Sequence, residues 1–470
     1  MLFEQFERNA LSHYSYAVGC PADGRIAIVD PQRDVDFYLQ FAHAYGVRIS
    51  HVLETHIHAD YASGARELAE LADAELCVSG YDEGEQFEVR FPHRDLREGD
   101  TIELGSVRIE VLHTPGHTPE HVAFLVWDLA RTKEIPQLML SGDFLFVGSV
   151  GRPDLLGEGE TLALAGRMQE SITEKLRGLP DGLEIHPAHG AGSMCGSGMS
   201  GRPISTLGFE RIANPYLAER MSKDAFVEKL IGSVPPFPEY YRRMKRVNSA
   251  GPKPLGRLPG ATPIDPARFR ELVEKGHAVI DLRDQASFGA EHVPGSFGIG
   301  LRGNLSGWAA WVVPYDTPIL LVVPDSPLGA AVHEASRALV RVGLDDVVGY
   351  LDGGMQAWLE AGLPATSTPQ LTAVDLGERL RQGEELHVID VRGRDEWEQG
   401  HIEGAEHVPG GELQNRLDRI PKDGKPMAIV CGSGYRSTVA ASVLERHGFK
   451  SVRNLAGGMN GWRQAGLPVS

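Results

Sequence analysis

Short apolar runs separated by turn residues alternate with amphipathic helical segments along this chain. Strand-like runs at 25–30 and 106–111 each follow a Gly, and the first is followed by Pro31, as is typical of strands that begin and end at turns. Residues 35–45 carry apolar side chains at helical spacing and stop at Gly46, which predicts a helix with a glycine at its C-terminal end. Strands that alternate with amphipathic helices predict an α/β fold.

An internal repeat fills the second part of the chain. The sequence VIDLR at 279–283 returns as VIDVR at 388–392, and GGMQAW at 353–358 returns as GGMNGW at 457–462. A repeat of about 100 residues is domain-sized, so the pattern predicts two copies of one small domain. The predicted limits are 1–250 for a first domain, 251–263 for a Pro- and Gly-rich linker, and 264–365 and 370–470 for the two copies.

Metal-ligating side chains concentrate in the segment THIHAD at 55–60. Alternate positions of an extended segment face one side, so two imidazoles and a carboxylate could converge there. An incidental His-rich surface loop is the alternative. Three later motifs supply further candidate ligands, His117 in TPGHT, Asp143 in SGD and His189 in PAHG.

The order THxHxD, TPGHT, SGD and PAHG resembles the metallo-β-lactamase superfamily over roughly the first half of the chain, which implies an αββα sandwich. In hydrolytic members similar to glyoxalase II, the first cluster reads HxHxDH and its last His helps to hold a second metal. Tyr61 stands at that position here. Because Tyr61 supplies no imidazole, a second metal ion would be held less firmly, which favours a single-metal site.

The persulfide dioxygenase branch of this superfamily uses one iron held by two His and one Asp. The resemblance carries these ligands over to His56, His117 and Asp143. Such a set leaves open positions for both a sulfur substrate and O2, which suits non-haem Fe(II). One Fe(II) per chain, with zinc as the less favoured metal, is what the resemblance implies, because His and Asp ligands suit iron, zinc and manganese alike. The candidates for supporting the ligands, or for marking a lost second site, are His58, Asp60, Tyr61 and His189.

Two further residues follow these motifs. Arg152, in GRPDL at 151–155, resembles part of a loop near the active site of the same family, and it is a candidate for substrate contact or for a structural ion pair. Cys195 lies in the Gly-rich segment 190–198, just beyond His189. Because glycines allow close approach of the backbone, its thiol is a candidate sulfur relay beside the metal pocket, with passive burial as the alternative.

The second copy carries a reactive-cysteine pattern. A strand-like run at 428–430 leads into CGSGYR at 431–436, and a helical pattern at 437–447 ends at Gly448. A thiol between a strand and a helix N-terminus lies among backbone N–H groups, which favour a thiolate and stabilise the charge of a persulfide. The predicted cradle consists of Gly432, Ser433, Gly434 and Tyr435.

The repeated signatures D-[VL]-R, GHIxGA and GGMxxW resemble the rhodanese family of sulfurtransferases, which implies α/β domains with parallel sheets. Cys431 is then the catalytic sulfur carrier, and Arg436 is a fixed cation for an anionic donor or acceptor such as thiosulfate. The first copy contains no Cys, and its loop reads PDSPLG at 324–329. We expect a structural role for that copy, and Asp325 would weaken any residual anion binding.

Composition narrows the functional classes. The 470 residues have a formal net charge of −18, which argues against a nucleic-acid partner. Apolar runs are too short to span a bilayer, and the N-terminus lacks the basic and apolar regions of a secretory signal. We therefore expect a cytoplasmic protein without membrane contact, for which a second copy of itself is one candidate partner.

The three parts together resemble the persulfide dioxygenase–sulfurtransferase fusions of bacterial sulfide detoxification. The resemblance implies that the sulfane sulfur of a low-molecular-weight thiol persulfide, such as glutathione persulfide, is oxidised by O2 to sulfite. Cys431 would carry sulfane sulfur to or from thiosulfate. The alternatives are a Zn-dependent thioester hydrolase similar to glyoxalase II, fused to a rhodanese, and a non-enzymatic persulfide or metal sensor.

Overall fold

Two six-stranded sheets form the framework of the first unit of the chain. The computed structural model describes residues 1–8, 11–219, 221–302, 304–324 and 328–470. The first unit comprises Met1–Gly256 with Val340–Gly343, and the second comprises Arg257–Leu339 with Leu344–Ser470. Within these described ranges, no helix is both long and apolar enough to cross a membrane.

The first sheet follows chain order, with β1 and β2 antiparallel and the strands from β3 onward parallel to one another. Its strands are β1 (Leu2–Arg8), β2 (His13–Cys20), β3 (Arg25–Val29), β4 (Arg48–Leu53), β5 (Glu75–Ser79) and β6 (Arg94–Leu96).

The second sheet has the spatial order β14-β13-β10-β9-β8-β7. A short hairpin, β11 with β12, follows β10. The strands are β7 (Thr101–Leu104), β8 (Val107–His113), β9 (Val122–Asp128), β10 (Leu138–Gly142), β11 (Leu145–Phe146), β12 (Ser149–Val150), β13 (Glu184–Pro187) and β14 (Ser205–Thr206).

Helices cover the outer face of each sheet. One apolar core lies between the two sheets, a second packs α1 and α2 on the first sheet, and a third packs α3 and α5 on the second. The predicted αββα sandwich is therefore confirmed. The helices are α1 (Asp36–Ala44), α2 (Ala65–Ala72), α3 (Glu158–Lys175), α4 (Leu207–Ala213), α5 (Lys223–Ser233) and α6 (Tyr240–Ala250).

The second unit contains two five-stranded sheets, and every strand pair in them is parallel. Their orders are β15-β19-β18-β16-β17 and β20-β24-β23-β21-β22. The strands are β15 (Pro263–Ile264), β16 (Ala278–Asp281), β17 (Phe297–Gly298), β18 (Ile319–Val322), β19 (Val347–Leu351), β20 (Gln370–Leu371), β21 (His387–Asp390), β22 (Glu406–His407), β23 (Met427–Val430) and β24 (Val452–Leu455).

The two sheets connect their strands in the same order, so the sequence repeat is also a structural repeat. The helices of the first copy are α7 (Pro266–Glu274), α8 (Gln285–Ala290), α9 (Leu305–Val312), α10 (Leu328–Val340) and α11 (Gly354–Glu360). Those of the second copy are α12 (Ala373–Arg381), α13 (Arg394–Glu398), a 3₁₀ helix (Gly410–Arg416), α14 (Tyr435–Arg446) and α15 (Gly458–Gln464).

Most of the predicted elements are present, and one boundary differs. The helix predicted at 35–45 is α1, and the chain leaves it through Gly46 at φ +64°. The helix predicted to start at Ser437 begins two residues earlier, because Gly434 at φ +97° turns the chain directly into α14. Asp325 lies outside the described residues, and the four predicted domain limits stay a prediction.

Candidate functional site

The three predicted metal ligands come from three loops at strand ends. His56 follows β4, His117 lies between β8 and β9, and Asp143 follows β10. Each side chain is buried, with an exposed fraction of 3% or less. The fold therefore brings together residues that are far apart in sequence.

The ligand atoms converge on one point. His117 Nε2 lies 3.3 Å and His56 Nε2 lies 3.8 Å from Asp143 Oδ2. Within the described part of the chain, these three buried atoms have no hydrogen-bond partner. Ligands about 2.1 Å from one ion at angles near 90–110° lie about 3.0–3.4 Å apart. The 3.3 Å separation is within this range and the 3.8 Å separation is longer, and the two imidazole nitrogens with one carboxylate oxygen are a donor set that suits a single transition-metal ion.

Hydrogen bonds on the other side of each ring leave Nε2 available. His117 Nδ1 donates to the Arg152 carbonyl at 2.8 Å, and His56 Nδ1 lies 2.9 Å from Thr55 Oγ1. A carbonyl only accepts, so the neutral His117 ring carries its lone pair on Nε2. Burial, together with neighbouring imidazoles, holds the pKa of His56 and of His117 well below the usual value. Both rings are therefore neutral, as metal ligands must be.

The candidate second-metal residues form a closed hydrogen-bonded chain. His189 Nδ1 lies 2.7 Å from Asp143 Oδ1, and His189 Nε2 lies 2.8 Å from Asp60 Oδ2. Both ring nitrogens thus face carboxylates. Tyr61 is fully buried, and its hydroxyl donates to the Asp30 carbonyl at 3.3 Å. This arrangement holds Asp143 in place, and Asp60, His189 and Cys195 form a second group of buried ligand-type atoms that could hold a cation.

His58 belongs to a separate buried cluster. Its Nε2 lies 3.2 Å from Asp30 Oδ1 and 3.3 Å from Glu54 Oε2. Burial raises the pKa of Glu54 to about 8, although His58 opposes this shift. The three groups could also hold a cation, but they are distinct from the site formed around Asp143.

Arg152 forms the ion pair that is one of its two roles predicted from sequence, and contact with a substrate stays a prediction. Its side chain is buried, and its guanidinium donates to Asp154 at 2.6 and 2.8 Å and to the carbonyls of Met194 and Pro235 at 2.8 and 3.0 Å. Its backbone carbonyl receives the His117 Nδ1 hydrogen bond. Arg152 therefore fixes the orientation of the His117 ring through its carbonyl, and Asp154 balances the positive charge of its guanidinium.

Cys195 lies close to the His189 network. Its Sγ and one ligand-type atom each of Asp60 and His189 lie within 4.8 Å of one another, and Sγ is 3.8 Å from the Tyr241 hydroxyl. The side chain is 1% exposed. Burial raises the pKa of its thiol to about 12, so the residue is a neutral thiol at physiological pH.

The predicted sulfur-carrier loop closes around a fully buried Cys431. Gly434 N donates to Cys431 Sγ at 3.1 Å and Ser437 Oγ donates at 3.3 Å. The Cys431 carbonyl accepts from Met459 N at 2.7 Å. A Cβ on Gly458 would lie 2.2 Å from that carbonyl, which explains the glycine pair in the repeated GGM motif.

Sequence reasoning missed three residues that complete these sites. His121 Nε2 accepts from Asp143 N at 3.0 Å, Thr55 Oγ1 faces the His56 ring, and Glu396 pairs with Arg436. His121 has a sequence signal, because it stands four residues after His117 in HTPEH. Glu396 has none, since a helical RDEWE segment is typical of a solvated face.

Both halves of the chain match known protein families. Residues 8–189 match the Metallo-beta-lactamase superfamily, and residues 265–361 and 372–465 each match the Rhodanese-like domain. The crystal structure of a metallo-beta-lactamase from Staphylococcus aureus subsp. aureus COL superposes with a TM-score of 0.67 at 36% identity, over 74% of this chain and 98% of that one.

Two relatives of this chain carry the names of different enzymes. The chain is 29% identical over 234 residues to "Persulfide dioxygenase ETHE1, mitochondrial" of Bos taurus, which covers 48% of this chain and 79% of the relative. It is 33% identical over 168 residues to "Hydroxyacylglutathione hydrolase" of Rhodospirillum rubrum, covering 36% of this chain and 58% of the relative. The chain belongs to the metallo-β-lactamase superfamily, its metallo-β-lactamase domain is followed by two rhodanese-like domains, and in this arrangement it resembles persulfide dioxygenase–rhodanese fusion proteins.

Proposed function

We propose that this chain is a persulfide dioxygenase and sulfurtransferase. In the first reaction, a low-molecular-weight thiol persulfide such as glutathione persulfide, O2 and water give the thiol, sulfite and a proton. The observation that carries this proposal is the convergence of three buried atoms without hydrogen-bond partners among the described residues, on His56, His117 and Asp143. A 2-His-1-carboxylate set is the ligand type of non-haem Fe(II) oxygenases.

The residues of the first unit would hold one Fe(II) and orient its ligands. A bound Fe(II) supplies redox chemistry with O2 and Lewis acidity toward an anionic sulfur. The Arg152 carbonyl fixes the His117 ring, and His189 fixes Asp143 through its second carboxylate oxygen. Because all three ligands are buried, the pocket excludes bulk water from the reacting sulfur. The folded chain already fixes the dipoles and charges around this pocket, so they need not reorganise when the substrate binds.

The second reaction belongs to the loop around Cys431. A persulfide on Cys431 would be stabilised by the Gly434 N–H, the Ser437 hydroxyl and the N-terminal end of α14. In sulfur transfer to sulfite, the sulfite lone pair forms a bond to the outer sulfur, the Cys431 S–S bond breaks, and its electron pair returns to Cys431 as thiolate. Thiosulfate leaves, and Arg436 is the cation that binds the anionic partner.

A thioester hydrolase is the second candidate function, since one relative is named a hydroxyacylglutathione hydrolase. A two-metal hydrolase needs a second ion that positions its nucleophile. Tyr61 supplies no imidazole there, and both nitrogens of His189 face carboxylates. The site geometry therefore supports the single-metal oxygenase better.

Product analysis tests this proposal. We expect the wild-type chain to consume O2 with glutathione persulfide and to form sulfite and thiosulfate. Cys431→Ser should keep O2 uptake within about two-fold and shift the sulfur product to sulfite, since transfer needs the thiolate. His117→Ala should reduce O2 uptake more than about 100-fold through loss of a ligand, and His43→Ala, at an exposed helix position, is the matched control. O2 uptake that survives His117→Ala would contradict the proposal.

The domain limits, the small-molecule partners and the place of Cys195 are part of the same proposal. We propose domain limits of 1–250, 251–263, 264–365 and 370–470, with O2, a thiol persulfide, sulfite and thiosulfate as small-molecule partners. Cys195 is proposed as a neighbour of the substrate pocket, because it lies beside Asp60 and His189.

A further inference from the structure

Arg436, the cation of the Cys431 loop, is held by a carboxylate of its own domain. Its Nη1 donates to Glu396 Oε2 at 2.5 Å, and its Nη2 donates to Glu396 Oε1 at 2.6 Å. Two parallel hydrogen bonds of this kind match a guanidinium to a carboxylate, and they match it equally to the oxygens of a sulfur oxyanion. Glu396 therefore occupies the face of Arg436 that such an anion would use.

The ion pair lies at the mouth of the loop. A Cβ built on Gly432, the residue after Cys431, would lie 3.1 Å from Arg436 Nη2 and 3.6 Å from Glu396 Oε1. The Arg436 side chain is 27% exposed and that of Glu396 is 41% exposed, so solutes can reach both. The hydrogen bond from Arg436 lowers the pKa of Glu396. Its carboxylate is therefore charged at neutral pH.

The first copy provides an internal comparison. Glu396 stands six residues after Asp390 of β21, and Ser287 stands six residues after Asp281, the equivalent residue of β16. That copy contains no Cys, and its domain has the same strand order without an acidic residue at this position. The acidic residue is thus present in the copy that contains the Cys431 loop and absent from the copy that has no Cys. The fold itself therefore does not require it.

We propose that Glu396 is a specificity-determining residue, whose carboxylate competes with small dianionic sulfur compounds for Arg436 and so weakens their binding at Cys431. This inference rests on the proposed sulfur-carrier role of Cys431. In the test reaction, the Cys431 thiolate attacks the outer sulfur of thiosulfate. A new S–S bond forms, the S–S bond of thiosulfate breaks, and its electron pair leaves with sulfite. The persulfide group of a thiol persulfide carries one negative charge, so Glu396 repels that group less than it repels the dianion thiosulfate.

The experiment is a thiosulfate titration of the full chain, with sulfur gain at Cys431 followed by intact and peptide mass. In Glu396→Gln we expect the half-saturating thiosulfate concentration to fall about ten-fold, because charge-assisted contacts to Arg436 become available, while the maximum rate stays within about two-fold. Glu398→Gln is the matched control. It removes the same charge from the same helix but breaks an exposed pair with Arg394, and we expect no change.

Further variants and conditions make the outcome decisive. Glu396→Ser, which places the first copy's residue at this position, is expected to lower the half-saturating concentration as well, and it serves if the Gln variant does not fold. Added salt should reduce the difference in half-saturating thiosulfate concentration between the Glu396 variants and the wild type.

An unchanged or higher half-saturating concentration in Glu396→Gln, or a lost maximum rate while Glu398→Gln behaves normally, would overturn the inference and make Glu396 a positioning residue. A wild-type Cys431 that gains no sulfur at any thiosulfate concentration would contradict the sulfur-carrier role itself.

Discussion

At the scale of single residues, each ligand of the candidate metal centre uses one polar atom in a hydrogen bond and leaves the other facing the site. His117 donates through Nδ1, His56 faces Thr55 through Nδ1, and Asp143 bonds His189 through Oδ1. The free atoms, two Nε2 and one Oδ2, are the ones that converge. Hydrogen bonds around the ligands therefore specify the metal-binding tautomers as well as the ring orientations.

The three candidate ligands could be proposed from the sequence, and they stay a prediction, whereas their supporting hydrogen bonds could not be predicted. The spacing of His56 and the turn around His117 are local signals that survive in the sequence. The partner of the His117 ring is the backbone carbonyl of residue 152, and a carbonyl has no sequence signature. The alternative roles of Arg152 were likewise open, because only the fold reveals that Asp154 and two carbonyls surround its guanidinium.

Cys195 allows a pH-dependent test at this scale. Burial raises the pKa of its thiol to about 12, so the folded state favours the protonated form, and the thiolate appears only as pH rises toward that value. At pH 8 about one thiol in 10,000 is ionised. We expect iodoacetamide to leave Cys195 unmodified in the folded chain between pH 7 and 9, as measured by peptide mass spectrometry.

The same chain in guanidinium chloride is the control, because unfolding restores the ordinary thiol pKa and should make Cys195 reactive. Rapid alkylation in the folded chain, with a rate that begins to level off between pH 8 and 9 as it does for an ordinary thiol, would contradict the buried neutral thiol. Such a result would favour a sulfur-relay role for Cys195.

At the scale of secondary-structure elements, the β23–α14 connection forms the surroundings of the Cys431 thiol. The chain leaves the strand at Val430 and enters the helix at Tyr435, and Gly434 makes the turn with φ +97°. Its N–H donates to the Cys431 sulfur. A Cβ at this position would lie 2.5 Å from Gln285 Oε1, so a larger residue would displace the Gln285 side chain, and the backbone conformation favours glycine.

We predict that Gly434→Ala disrupts this loop. The left-handed backbone and the close contact should cost about 1–3 kcal/mol, and displacement of the N–H should slow sulfur gain at Cys431 more than about ten-fold. Mass-monitored sulfur transfer from thiosulfate measures the effect.

Gly448→Ala is the matched control at the other end of the same helix. Gly448 also has a positive φ, +82°, but nothing lies within 4 Å of its added Cβ. We expect a loss of stability of about 1 kcal/mol and a transfer rate within about two-fold of wild type. Equal rates in the two variants would mean that the Gly434 geometry is not needed for transfer.

Elements with strong local signals were the most predictable. The repeated VID-[LV]-R strands and their parallel sheets followed from sequence, as did the helix ending at Gly46. The start of α14 did not, because CGSGYR is equally compatible with a loop through Arg436. The pairing of Arg436 with Glu396 joins two elements about 40 residues apart in sequence, and no local periodicity predicts such a contact.

At the scale of the whole molecule, the proposed function places two kinds of sulfur chemistry on one chain. The metal-ligand set belongs to the first unit and the Cys431 loop to the second. Covalent attachment raises the concentration of each site around the other, into the millimolar range for a linker that can span the distance. Under the proposed function, sulfite formed at the metal site would be an acceptor for sulfur from Cys431, and thiosulfate would be the expected joint product.

The central claim is that the first unit holds one iron and consumes O2. The most direct measurement is metal content of the anaerobically purified chain, followed by O2 uptake on addition of glutathione persulfide. The account predicts about one iron per chain, held by three protein ligands, and O2 uptake that depends on the persulfide. Two zinc ions per chain, with no O2 uptake and with hydrolysis of S-lactoylglutathione, would contradict it.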